Sequence, residues 1–295
     1  MVAAVGIPLA VLIIYGGVWP LGILLALVGA LGSREYFRLA PDVRRSAEGG
    51  ATRMGVPETV PFAWLGAMLA AALPLVAALY PDFRTFAPWA FALIVGTALL
   101  ALALAPWLRW PGGQPLDAAS RTIMGALYTG GALSFWVLLR ALPEQTSVEA
   151  NAFHGAALLI FPLWVTWLGD TFAYACGSRW GKAKLIEAVS PNKTVVGAIG
   201  GLVASMIAGA IFARLWLSGV PDFALSWTVA AAVSVPIAVV GQVGDLAESV
   251  LKRDAGVKDS SHLLPGHGGI LDRLDALFFT VPLTYALFLA IYAWT

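Results

Sequence analysis

Carboxylates, ammonium groups and glycines crowd into residues 241–275, which read G-Q-V-G-D-L-A-E-S-V-L-K-R-D-A-G-V-K-D-S-S-H-L-L-P-G-H-G-G-I-L-D-R-L-D. Asp245 ends one apolar run and Asp272 opens the next. If the first run stays helical, Asp245, Ser249 and Lys252 share a face at i, i+4 and i+7, and Asp272 shares one with Asp275 at i, i+3. Two carboxylates at one depth could hold a divalent ion through hard oxygen donors, the ligand type that suits Mg²⁺. Lys252 and Arg273 add cations for phosphate oxygens. The stretch Pro265-Gly266-His267-Gly268-Gly269 is a poor helix former, and its glycines allow close backbone approach to a ligand. Together these groups suit phosphoryl-type transfer. The plainer alternative is a solvated loop whose charges only enforce topology; it accounts for any single residue better than for the ensemble.

A second group lies upstream. Asp170 stands near the end of an apolar run, and an aspartate inside a span costs roughly 2.5–3.5 kcal/mol on insertion scales. Such a residue is a functional candidate by default. Ser190, Lys193 and Thr194 precede the next run, where the free N–H groups of a helix start favour an anion. Helix capping is an equal reading for Ser190 and Thr194. Other features are set aside. Residues 177–183 imitate a phosphate-binding loop but end without Ser or Thr. Cys176, the only cysteine, reads as a small packing residue. His154 and His262 read as packing or surface groups, and Gly197-x-x-x-Gly201 as a close approach of two helices.

The elements that must position these groups are membrane helices. Of the 295 residues, 59% are hydrophobic and 12% charged, against about 25% charged in soluble domains. About 20 apolar residues cross the hydrocarbon layer as a helix. Nine candidate spans follow: roughly 3–17, 19–33, 60–79, 86–106, 122–140, 154–176, 194–217, 226–247 and 275–294. In a nine-span arrangement the loops 34–59, 107–121, 177–193 and 248–274 share one side and hold all of the eighteen basic residues except Arg84, Arg140 and Arg214. The positive-inside rule places those loops and the N-terminus in the cytoplasm. A net charge of +1 offers no basic face for nucleic acid. The expected fold is all-α and polytopic, with a polar cavity facing the cytoplasm. Residues 1–153 supply N-terminal spans, and 154–295 the catalytic region of one membrane-embedded unit.

Residues 249–275 resemble the signature segment of the phosphatidate cytidylyltransferases. The resemblance rests on Ser249, Lys252-Arg253, Lys258-Asp259, Pro265, His267-Gly268-Gly269, Asp272-Arg273 and Asp275. Residues 169–201 resemble the same family's D-x-x-A-Y…G-K…S-P-x-K-T…G…G-G block, with Val196 standing where many relatives carry a polar residue. The first half matches only as a set of spans, with Arg34-Glu35-Tyr36 after the second. The resemblance implies CTP and phosphatidic acid as substrates, the bilayer as partner, and Mg²⁺ as cofactor. It admits a monovalent cation beside the Mg²⁺, and a homodimer. It implies the bacterial inner membrane as location. Asp245 and Asp272 are expected to bind the metal, with Lys252, Arg273 and Ser249 catalytic. Asp170, Ser190, Lys193, Thr194, Lys258, His267, Gly268, Gly269 and Asp275 are expected to contact substrate. The rivals are a CTP-dependent kinase of polyprenol or phytol type, and an ion-coupled transporter, whose mark would be inverted repeats.

Overall fold

The computed structural model describes residues 2–39, 62–108, 115–147, 149–220, 225–261, 263 and 268–292. Long apolar runs become helices because hydrocarbon leaves a backbone no partner but itself. Helices α1 (Val2–Tyr15) and α2 (Val18–Leu39) are joined at Gly16-Gly17. Gly17 has φ +97°, a conformation open chiefly to glycine. Next come α3 (Ala63–Leu79), α4 (Phe83–Leu108) and α5 (Pro115–Ala126), which passes through a wide turn at Leu127–Gly131 into α6 (Ala132–Thr146). Helix α7 (Ala152–Trp180) starts on a capping box: the Asn151 side chain accepts from the Phe153 and His154 backbone, and His154 Nδ1 accepts from the Asn151 N–H. His154 thus serves its own helix start.

Two short antiparallel strands follow, β1 (Lys184–Ile186) and β2 (Ser190–Thr194). The chain then forms α8 (Val195–Phe212) with a wide last turn at Ala213–Leu217, α9 (Trp227–Asp254), the one-turn α10 (Leu271–Leu274) and α11 (Leu277–Tyr292). All nine expected spans are helical over most of their length. Seven helical spans are long and apolar enough to cross a membrane, with α5–α6 and α10–α11 each running as one span. Of the other two, α3 has 17 residues and α1 has 14. The protein is an all-α polytopic membrane protein, and its only strands among the described residues form the single hairpin.

Helix α8 shows how a bilayer is needed. Ile199, Val203, Ile207, Ile211 and Leu215 form an exposed apolar stripe, while Gly197, Gly201, Ser205 and Phe212 are buried on the other side. In water such a stripe would aggregate; against lipid tails it is at home.

By packing, the chain forms two units, neither of them a contiguous stretch. The first draws on Met1–Val18, Leu138–Ser249 and Asp275–Thr295. Its centre is α7 against α8, where a Cβ at Gly197 or Gly201 would press on Ala173 and on the backbone of Gly177 or Gly169. The Gly-x-x-x-Gly expectation of close helix approach is met. Cys176 packs against Gly200 in the same seam. Phe161, Phe212 and Phe288 fill the core, with ring centroids 5.3–5.7 Å apart along the chain of contacts, and the exposed Trp216 covers Phe212 at 4.8 Å. Arg140, only 1% exposed, donates from Nε to the Ile14 carbonyl and pairs with Glu144 at 2.8 Å.

The second unit draws on Trp19–Val137 and Val250–Leu274. Small residues let its helices touch: Gly130, in the wide turn, lies against the backbone of Ala70, as does Gly29. Gly66 and Gly125 leave room for the buried ring of Phe37. A methyl group at 130 would meet rigid backbone, whereas one at 131 would make ordinary contacts. Gly130→Ala should therefore cost roughly 1–3 kcal/mol, the usual range for overpacking, and Gly131→Ala almost nothing. Thermal unfolding of the purified variants in detergent checks this; equal midpoints would contradict the packing described.

Candidate active site

In the first unit, Asp170 comes from α7, Lys193 from β2 and Asp245 from α9. Lys193 Nζ lies 2.6 Å from Asp245 Oδ2, with both side chains partly exposed. Asp170 is within electrostatic reach of both. Two carboxylates against one ammonium leave this cluster a net negative charge, the sign that attracts a cation.

The hairpin sets where Lys193 stands. Lys184 pairs with Thr194, Ile186 pairs with Ser190, and the Val195 N–H donates to the Ala183 carbonyl. Thr194 caps α8 by accepting from Gly197 N–H at 3.1 Å. Its side chain is buried against Gly177 and Gly181, where a Cβ would collide with it. The capping reading of Thr194 is therefore realised, and the cap anchors the strand that carries Lys193. Ser190 is half-buried on the same strand. Gln242, on α9, donates to the Ala198 carbonyl and ties that helix to the start of α8.

Helix α9 continues unbroken to Asp254, as the spacing of Asp245, Ser249 and Lys252 required, and its last residues, from Val250, belong to the second unit. Lys252 Nζ donates to Asp272 Oδ1 at 2.8 Å. Asp272 Oδ2 accepts from Ser260 N–H at 2.9 Å, Ser260 Oγ at 2.8 Å and Gly269 N–H at 2.8 Å. The carboxylate is 7% exposed, and its acceptor capacity is taken up by protein donors. Gly268 has φ +76° and lies against this carboxylate, so a side chain there would be strained and crowded.

The other expected residues are distributed as follows. Ser249 is buried, while Lys258 and Arg273 are exposed. Asp275 accepts from the Ala276 N–H in a turn between α10 and α11, which interrupts the continuous helical face expected for Asp272 and Asp275. His267 lies outside the described residues. Asp245 and Asp272 belong to different units, and their sharing of one ion remains an expectation from sequence.

The sequence assigned no role to four buried residues, Glu35, Ser260, Ser261 and Glu248. Glu35, 3% exposed, accepts hydrogen bonds from Ser260, Ser261, Ile270 and Leu271. Ser260 and Ser261 are themselves buried. Glu248, one turn beyond Asp245, is wholly buried. The available signal was the cost of a carboxylate so near a span, which applied to Glu35 and Glu248 as much as to Asp170.

Membrane-embedded helices that bring together ammonium–carboxylate pairs beside glycine-rich backbone define a polytopic protein equipped for phosphate chemistry. The family model described as the cytidylyltransferase family matches residues 1–291. The chain belongs to that family. It is similar to a phosphatidate cytidylyltransferase of Synechocystis sp., with 33% identity over 96% of this chain and 93% of the relative. Phosphatidate cytidylyltransferases of Staphylococcus haemolyticus and Staphylococcus saprophyticus are 43% and 42% identical, over 45% and 46% of this chain and 50% and 51% of theirs.

An asparagine at 272 offers one oxygen where the aspartate offers two, and its amide N–H would face one set of donors. Asp272→Asn should preserve membrane insertion and helical content yet lower nucleotidyl-transfer turnover by at least about 100-fold, the cost of a small misplacement in a reacting site. Turnover within a few-fold of wild type in purified Asp272→Asn would show that the carboxylate has no part in the reaction.

Proposed function

We infer that this membrane enzyme transfers the cytidylyl group of CTP to phosphatidic acid, giving CDP-diacylglycerol and pyrophosphate. The observation that carries the reading is the family match along nearly the whole chain, supported by a relative of that named activity at 33% identity over 96% of the sequence. An oxygen of the lipid phosphate attacks the α-phosphorus of CTP in line. The bond from that phosphorus to the bridging oxygen breaks, and pyrophosphate leaves with the electron pair. The attacking phosphate is already anionic, so the residues need to position and neutralise rather than remove a proton.

Each charged cluster has a part suited to it. Lys252 and Arg273 pair with phosphate oxygens, and Lys252 exchanges its Asp272 partner for substrate. Lys193 does the same from Asp245. Ser190, Thr194, Ser249 and Asp275 in the first unit, and Lys258, Gly268 and Gly269 in the second, are the further candidates for contact with substrate. Among the described residues no group of three or more acidic, histidine or cysteine ligands is assembled for a metal. Mg²⁺ makes a smaller demand: one or two carboxylates, with waters and substrate phosphates completing the shell. Asp245 with Asp170 fits that demand, and Asp272 would first have to release a protein donor. A bound Mg²⁺ would supply charge neutralisation at the phosphates.

The distribution of fifteen of eighteen basic residues supports a cytoplasmic N-terminus and site, and the bacterial relatives support the inner membrane. Lipid must then reach the site sideways and CTP from water, with cations at headgroup depth drawing the phosphates in.

Two measurements test these readings. Purified protein with CTP and Mg²⁺ should release pyrophosphate only when phosphatidic acid is present. A lipid alcohol converted to its phosphate, with CDP formed, would favour the kinase, and no turnover with either lipid would favour the transporter. For orientation, Asp254 is exposed at the end of α9. In a Cys176→Ser background, Asp254→Cys should react with an impermeant thiol reagent in inside-out vesicles and stay unlabelled in intact cells. The opposite pattern would invert the topology.

A further inference from the structure

We propose that Glu35 is a positioning residue for the Asp272 site, fixing through the Ser260 hydroxyl where the Asp272 carboxylate lies; the proposal rests on the functional reading above. Glu35 belongs to α2, in the half of the chain to which no chemistry had been assigned. Its Oε1 accepts from Ser261 Oγ at 2.6 Å and Ile270 N–H at 3.0 Å. Its Oε2 accepts from Ser260 Oγ at 3.1 Å and Leu271 N–H at 3.0 Å. Three donors, with the Ser260 hydroxyl as a fourth that is shared with Asp272, face the acceptor directions of one buried carboxylate. Charge-assisted bonds of this kind are roughly twice as strong as neutral ones, so the segment is clamped at residues 260–261 and again at 270–271.

Ser260 makes the connection to the reacting group. Its hydroxyl oxygen lies 3.1 Å from Glu35 and 2.8 Å from Asp272. A hydroxyl carries one proton and can donate to one carboxylate at a time, so the two carboxylates compete for it and neither moves independently. The Ser260 N–H also donates to Asp272. Gly269 closes the arrangement: a Cβ there would collide with the Ser260 hydroxyl and the Glu35 carboxylate. That backbone has to be glycine for Glu35 to come so near, while its N–H reaches Asp272. Outer partners that orient a reacting carboxylate commonly govern turnover without touching substrate.

The test uses the full chain in lipid nanodiscs. Glu35→Gln should lower kcat by about 100-fold while the KM for CTP changes less than about threefold, as for a residue that acts on geometry and not on binding. Because Glu35 acts through Ser260, the Glu35→Gln/Ser260→Ala double variant should be no slower than the worse single variant. Without substrate, the amides of 269–272 should exchange hydrogen faster in Glu35→Gln than in wild type, with those of 197–212 unchanged. Additive losses in kcat, an unchanged kcat, or unchanged exchange at 269–272 would each overturn the proposal. If Glu35→Gln does not fold, Ser260→Ala, which keeps the carboxylate, decides: normal turnover there overturns the proposed link. A wild type that makes no CDP-diacylglycerol would defeat the functional reading instead, and the exchange measurement would still decide whether Glu35 holds the segment.

Discussion

A charge set among apolar helices must be met by an opposite charge or by aimed hydrogen bonds, and much of this structure follows from that requirement. Arg140 meets it with the Ile14 carbonyl and Glu144. Lys193 meets it with Asp245, and Lys252 with Asp272. Glu35 meets it with two hydroxyls and two backbone N–H groups. The cost of an unpaired charge is several kcal/mol in a low-dielectric setting, so the partners of the buried Arg140, Glu35 and Asp272 constrain their elements closely. The hairpin of two short strands positions Lys193, and glycine at 269 leaves room for the two carboxylates that converge there.

Arg140 differs in kind from the other pairs. It is almost wholly covered, and its partners include a helix carbonyl, which suits a fixed structural tie. Lys193 and Asp245, by contrast, remain partly exposed. On the proposed function a phosphate would take the place of Asp245 beside Lys193, and charge preorganised in this way acts without reorganisation at the moment of reaction.

The spans were legible because apolar runs of membrane length have few other fates. Asp170, Asp245 and Asp272 were legible for the converse reason, since charge beside such runs is costly. The hairpin was not: β2 contains Pro191 and Asn192, poor strand formers, and its pairing is fixed by Thr194 packing against Gly177 and Gly181. Nor was the role of Glu35, whose partners lie 225 to 236 residues away. No local period encodes a contact of that separation. The turn at Asp275 escaped for a smaller reason, because its carboxylate takes the next residue's N–H and breaks a helix that the apolar pattern would continue.

The central claim is that the ammonium–carboxylate pairs serve the reaction and not merely the fold, and the Lys193–Asp245 pair allows the most direct test. Lys193→Asp and Asp245→Lys would each place like charges side by side, and combining them restores an attractive pair with its polarity reversed. Thermal midpoint and CDP-diacylglycerol synthesis are then measured on both singles and the double. The account predicts that the double regains the stability lost by the singles while synthesis stays abolished. Recovery of synthesis along with stability would contradict it, by showing that any ion pair at this position suffices.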